Sequence, residues 1–364
     1  MKSTGPGIES HSQGWLFCIL LPLLWMLAGC GEHSSGAGDA VQLAGDTMGT
    51  TWHVTYVAPP SAPPADTLQA GLEAELESVN DSMSTYREDA EISAFNRLPV
   101  GQWLTVSAPF MTVLRAALEI GEQSDGAYDV TVAPLVNLWG FGPGRGAAKV
   151  PAAETIAALR EQVGQGNLDI DAEGSRVRKT REVSLDFSSI AKGYAVDRLA
   201  EYLLVQPVSD FLVEVGGEMR LAGASPRGDR WRIAIEQPSA GGRAPAVGLS
   251  LSDVAVATSG DYRNFFELDG KRFSHSIDPR TGYPVAHDLV SVTVLAETAM
   301  RADAWATALV VLGADEAMRV ASELGLAVYF IRRQGEGFAA SHTDAFSPWL
   351  GEGATEQAPG GPQR

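Results

Sequence analysis

Residues 256–309, VATSGDYRNFFELDGKRFSHSIDPRTGYPVAHDLVSVTVLAETAMRADAWATAL, are the stretch on which the reading of this chain turns. An apolar run over 254–257 gives way to Thr258-Ser259-Gly260-Asp261, small polar residues that suit a strand end entering a loop. Two short strands are predicted next, over 263–268 and 271–274. They are joined by Asp269-Gly270, a dipeptide that tight hairpins favour because both central positions take positive φ. A strand over 290–295 then leads to a helix starting near Thr298 or Ala299. Hairpins in series with helices set beside them predict an α+β fold of mixed, mainly antiparallel sheets flanked by helices.

The same stretch spends residues that neither a core nor a plain turn requires. Residues 274–282 bring His275, Asp278, Arg280 and three hydroxyls into one loop that Pro279 and Gly282 hold in shape. On the helix, Asp303 and Thr307 stand four apart among Ala302, Ala304 and Ala306, so their oxygens share one face. A carboxylate and a hydroxyl one turn apart are hard ligands of the kind Mg²⁺ takes. Each feature alone has a plainer reading. His275 would be a surface histidine, Asp303 a solvated charge beside Arg301, and Asp278-Pro-Arg-Thr-Gly an ordinary turn.

Outward from this stretch, the ends of the chain read as processing and tether segments. An apolar run over 15–27 ends in Leu27-Ala28-Gly29-Cys30, which resembles a bacterial lipobox. The expectation is a signal peptide over 1–29, lipid on Cys30, a flexible Gly/Ser/Ala-rich tether over 30–45, a folded region over 46–350 and a disordered tail over 351–364. Cys18 leaves with the signal and Cys30 carries lipid, so no thiol remains for a disulfide, a zinc site or a nucleophile. The formal net charge of −18 argues against nucleic acid as a partner, and a pyrophosphate ligand would need a local cation to offset the field.

Within the folded region, Thr47-Met48-Gly49-Thr50-Thr51 leads into an alternating strand over 52–57. Leu68, Leu72, Leu76, Val79 and Met83 recur at helical spacing, and a second helix is predicted over 109–124. Short strands are expected around 168–170, 176–179 and 183–187. The last of these ends in Asp186-Phe-Ser188-Ser189-Ile-Ala-Lys192-Gly193, with a helix over 191–204 behind it. A strand, small hydroxyls and a helix N-terminus make a sensible anion site, because free N–H groups face the ligand and Lys192 adds charge. Simple capping by Ser188 or Ser189 is the plainer alternative. Gly216-Gly217 reads as a turn or bulge before a strand over 219–222. The glycine-rich run over 140–146 fails the G-x-G-x-x-G pattern, since Arg145 occupies its third glycine position. From the residues alone the chain is a lipid-anchored α+β enzyme or binding protein with a metal-assisted anion site.

Several runs, in order, resemble signature segments of the ApbE family of FAD:protein FMN transferases. They are Met83-Ser-Thr-Tyr-Arg, Gly126-Ala-Tyr-Asp-Val-Thr-Val, Leu138-Trp-Gly-Phe-Gly, Asp186-Phe-Ser-Ser-Ile-Ala-Lys-Gly, Val215-Gly-Gly-Glu, Thr258-Ser-Gly-Asp-Tyr-Arg, His275-Ser-Ile-Asp-Pro-Arg-Thr-Gly and Ala302-Asp-Ala-Trp-Ala-Thr. The resemblance covers roughly 46–349 and implies an ApbE-like fold. It implies Mg²⁺-dependent cleavage of FAD, transfer of FMN to a threonine or serine hydroxyl of an acceptor protein, and release of AMP. It places FAD against Met48, Tyr86, Ala127, Tyr128, Asp129, Asp186, Lys192 and Ile277, and Mg²⁺ on Ser189, Asp303 and Thr307. His275 would be the general base and Asp278 would orient its loop. Acceptor flavoproteins such as subunits of membrane-bound, ion-pumping redox complexes would be the partners, and the inner membrane, facing the periplasm, the location. A flavin-binding lipoprotein without turnover and an FAD pyrophosphatase are the competing readings.

Overall fold

The computed structural model describes residues 39–143, 149–239, 242–260, 265–268 and 270–350. Cys30, the signal segment, the 351–364 tail, Arg145 and Asp269 lie outside the described residues. In chain order come β1 (Ala40–Thr47), β2 (Thr50–Val57), α1 (Ala65–Met83), α2 (Glu91–Arg97), β3 (Leu104–Thr105), α3 (Ala108–Gln123), α4 (Ala133–Leu138), α5 (Ala153–Arg160), β4 (Leu168–Asp171), β5 (Arg176–Lys179) and α6 (Ala191–Val205). The second half holds β6 (Phe211–Val215), β7 (Glu218–Ala222), β8 (Trp231–Ser239), β9 (Gly242–Leu251), β10 (Val254–Gly260), β11 (Phe265–Leu268), β12 (Lys271–Ser274) and β13 (Leu289–Ala296). It ends with α7 (Ala299–Leu312), α8 (Ala314–Glu323), β14 (Ala327–Gln334) and β15 (Gly337–His342).

Eight strands form one sheet in the order β1-β2-β6-β7-β10-β13-β14-β15, with every neighbouring pair antiparallel. Its strands alternate between two apolar clusters, as the period of two requires. On β10, Ala255 and Ala257 join the cluster that holds α1, α3, α6 and α7, while Val254 and Val256 join the one beneath the β8–β9 ribbon. Helix α7 is buried nearly all round, with Ala302, Ala304, Ala306 and Ala308 letting it lie close to its neighbours.

Two expectations fail, each for a local reason. The tether was expected to run to residue 45, yet β1 begins at Ala40, because Val41 and Leu43 pack against the core and every residue of β1 pairs with β2. The turn between them is Met48-Gly49, with φ of 50° and 73°, the double positive φ of a two-residue hairpin. No strand forms over 183–187, where only Ser184 bridges to Val132. The side-chain amide of Asn96 takes the place of a strand partner: its Oδ1 accepts from Leu185 N at 2.7 Å and its Nδ2 donates to Leu185 O at 2.9 Å. The two neighbouring strands, β4 and β5, form a separate small sheet with β3, in which β5 pairs with both of the others.

Candidate functional site

The first group of site residues is assembled where α6 meets α7. The residue preceding α6, Ile190, supplies no side-chain cap; Ala191 N donates back to Phe187 O, and Gly193 N depends on a partner from elsewhere. That partner is Asp303 of α7, whose Oδ2 accepts from Gly193 N at 3.0 Å and lies 3.8 Å from Lys192 Nζ. The contact requires Gly193: a Cβ there would overlap the backbone oxygen of Ala299 and press on Asp303 Cβ. Lys192 also pairs with Glu218 at the start of β7, Nζ to Oε1 2.6 Å. Its stem runs past Gly216, which at φ 61° turns β6 into β7 and where a Cβ would stand 3.1 Å from Lys192 Cδ. Asp303 is 2% exposed and Glu218 4%, so water does little to solvate either charge. Burial raises both carboxyls above the usual range, against the pull of Lys192. Glu218, which also feels the negative Asp303, is pushed up to about 7. One oxygen of Glu218, Oε2, is buried without a hydrogen-bond donor.

Around this pair lie the other predicted residues of the same half. Ser189 Oγ donates to the Tyr128 hydroxyl at 3.0 Å, so Ser189 does not cap α6. Tyr128 is buried, and its hydroxyl is held far above its ordinary pKa by burial, with Asp303, Asp186 and Asp129 adding to the effect. Asp186 turns its carboxylate back to Ser188 N at 2.8 Å. Asp129 is engaged locally: Oδ1 accepts from Thr131 N and Oγ1, and Oδ2 from Gln165 N, which shapes the turn after the buried Ala127. On α7, Thr307 faces Ser259 of β10 across 3.2 Å.

A cavity of about 610 Å³ opens beside the β1–β2 turn and is lined by Met48, Gly49, Trp52, Asn80, Tyr86 and Arg87, among others. Two predicted flavin contacts, Met48 and Tyr86, therefore share one wall-and-rim arrangement. Tyr86 is 68% exposed, an aromatic face left bare at the mouth of a pocket. Thr50, next along the hairpin, lies against Gly216 and so adjoins the stem of Lys192.

His275, Ile277 and Asp278 form a second group on the segment that follows β12. Asp278 organises the loop: its carboxylate accepts from Arg280 N, Nε and Nη2, all at 2.9 Å, and its carbonyl accepts from Gly282 N. Aromatic packing fixes the segment from below. Trp139 Nε1 donates to Gly282 O at 2.9 Å and stacks on Phe273, Phe141 stacks on Phe266, and the edge of Phe141 meets His275 at 6.3 Å between ring centres. Ile277 is buried in the same small cluster with Leu135 and Ile156. Arg280 packs on the Gly126 turn, which joins this loop to the run that carries Tyr128.

Sequence reading missed Glu218 as a partner of Lys192 and left Trp139 and Phe141 without a role. The burial of Glu218 offered no local signal. The Trp-Gly-Phe-Gly spacing did carry one, since two rings in a glycine-rich loop need something to pack on. Among the described residues no three His, Cys, Asp or Glu side chains are grouped to hold a metal. The donors present are instead a buried carboxylate with hydroxyls around it, a set that suits a hard cation also bound to ligand oxygens. No described helix is long and apolar enough to cross a membrane.

The chain is similar to known proteins along most of its length. The model of the ApbE family matches residues 48–330. The FAD:protein FMN transferase of Vibrio cholerae serotype O1 is 43% identical over 339 residues, 93% of this chain and 99% of the relative. The FAD:protein FMN transferase of Haemophilus influenzae is 42% identical over 334 residues, covering 90% and 95%. The crystal structure of the flavinyl transferase ApbE of Pseudomonas stutzeri, apo form, superposes with a TM-score of 0.81 at 41% identity, over 87% of this chain and 98% of that one.

Proposed function

This chain belongs to the ApbE family, and we propose that it is an FAD:protein FMN transferase. A threonine or serine hydroxyl of an acceptor flavoprotein attacks the FMN phosphorus of FAD, a phosphodiester forms, the bond to the AMP oxygen breaks and AMP leaves.

The observation that carries the reading is the meeting of Lys192, Asp303 and the N-terminus of α6 at one point, with Thr307 a turn further along α7. Lys192 and the positive end of the α6 dipole would present positive charge to a pyrophosphate. Asp303 and Thr307 would hold Mg²⁺ through side-chain oxygens, and Ser189 through its backbone, since its hydroxyl is given to Tyr128. A Mg²⁺ ion held by these oxygens would supply charge neutralisation at the pyrophosphate and at the departing AMP. Met48 and Tyr86 would receive the flavin at the cavity, and Ala127, Tyr128, Asp129 and Asp186 would supply further contacts to FAD. His275 takes the proton of the acceptor hydroxyl, because an imidazole titrates near neutral pH and that hydroxyl must lose its proton to attack. Asp278 and the Trp139–Phe141 brace hold its loop while it does so.

Anchoring through lipid on Cys30, facing the periplasm at the inner membrane, would set the site beside membrane-bound redox subunits as acceptors. To test the reaction, the full chain in detergent is mixed with FAD, Mg²⁺ and a threonine-containing acceptor, which is then weighed by intact-mass spectrometry with and without chelator. A gain of one FMN unit that the chelator abolishes supports the proposal. Free FMN and AMP with an unmodified acceptor would replace transfer by hydrolysis.

A further inference from the structure

Two ion pairs join β7 to α6, and the site described above uses only one. Glu218 and Arg220 alternate along β7 with Met219 and Leu221, so the charged pair faces α6 while the apolar pair enters the opposite cluster. Glu218 reaches Lys192; Arg220 Nη1 reaches Asp197 Oδ1 at 3.1 Å. Asp197 is 5% exposed and has a second set of partners. Its Oδ1 and Oδ2 accept from the amides of Ala299 and Met300, both at 2.9 Å, the first two residues of α7. One turn further on, Asp303 returns the contact to Gly193 of α6. Each helix thus caps the other with a buried aspartate, and the two contacts together set the height and rotation of α7 against α6.

We propose that Asp197, balanced in charge by Arg220, is a positioning residue for the transferase site: it sets α7 so that Asp303 stands beside Lys192 and Thr307 faces the same place. The proposal rests on the reading of that place as the FAD and Mg²⁺ site. Asp197 acts through α7 and touches no ligand. The leverage is geometric: metal–oxygen distances are set to within about 0.2 Å, and Asp197 supplies the bonds to Ala299 N and Met300 N that, with the Thr298 cap on Arg301 N, fix the first turn of α7.

The test is a titration of FAD into the full chain in detergent, followed by flavin fluorescence at a series of Mg²⁺ concentrations. Wild type should bind FAD more tightly as Mg²⁺ rises; if it does not, the reading of the site fails and the positioning role with it. Asp197→Asn and Arg220→Met should each move the Mg²⁺ midpoint up by about tenfold, the size expected for losing a group that orients a metal ligand. Arg220→Lys, which keeps the charge, should recover most of that shift. Phe346→Leu, in the cluster under the β8–β9 ribbon, should lower the melting temperature and leave the midpoint unchanged. Asp197→Asn and Arg220→Met chains that melt lower but keep the wild-type midpoint would reduce Asp197 to a helix cap and overturn the proposal. An Arg220→Lys chain as impaired as Arg220→Met would do the same for the charge balance. Should Asp197→Asn fail to fold, Arg220→Met carries the comparison.

Discussion

The α6–α7 junction and the His275 loop are held by different physics. At the junction, charged groups are buried and two backbones touch through Gly193, so there is no slack for a side chain to absorb. The loop is braced by rings and by an aspartate–arginine pair at its surface, contacts that yield by degrees. The difference teaches that the α6–α7 junction, the proposed phosphate end of the site, is rigid, while the His275 loop, the proposed proton-accepting end, follows a hairpin whose packing can be tuned.

The sharpest way to break that contrast is Gly193→Ala. Its Cβ has to push α7 off α6, at about 1–3 kcal/mol or more, and denaturant melts should show this together with loss of FMN transfer. Asp303→Ala should abolish the Mg²⁺ dependence of FAD binding, as read by fluorescence titration with and without Mg²⁺. Retained Mg²⁺ dependence would remove Asp303 as a ligand. His275→Ala should separate the two regions: FAD binding stays near wild type while the transfer rate falls about 10²–10⁴-fold. Unchanged rates would take His275 out of the mechanism.

Glu218 gives a pH test of the junction alone. Its carboxyl is raised from 4.5 to about 7, mainly by burial, so the folded state keeps a proton that the unfolded chain has lost in that window. The associated stability is present below about 4.5 and is lost as pH rises through 7. Melts between pH 4.5 and 8 should therefore decline by about 1–3 kcal/mol in wild type, and Glu218→Gln should flatten the decline. The smallest effect is expected from the brace. Trp139→Phe keeps the ring but loses the bond to Gly282 O, at about 1 kcal/mol, and should slow transfer a few-fold without touching FAD affinity.

Much of this was legible in the linear chain, because strands and helices announce themselves by period. Helices α1, α3 and α6 and strands β7, β12 and β13 fall within a few residues of expectation. The segment over 183–187 was misread because its strand-like composition says nothing about Asn96, 89 residues away, which takes its hydrogen bonds. Lys192 and Asp303 could be singled out as charges at a helix N-terminus and on a helix face. That they meet could not.

By itself the sequence determined the mainly antiparallel α+β architecture, the family resemblance and the residue types that the chemistry needs, since these depend on local period and on motifs a few residues long. Tertiary structure alone decided that Asp303 caps α6 in place of Ser188 or Ser189, that Glu218 shares Lys192, and that Trp139 and Phe141 brace the His275 loop. Each of those depends on two backbones coming close enough to exclude water, and how close they come is set by the packing of the whole sheet and its helices.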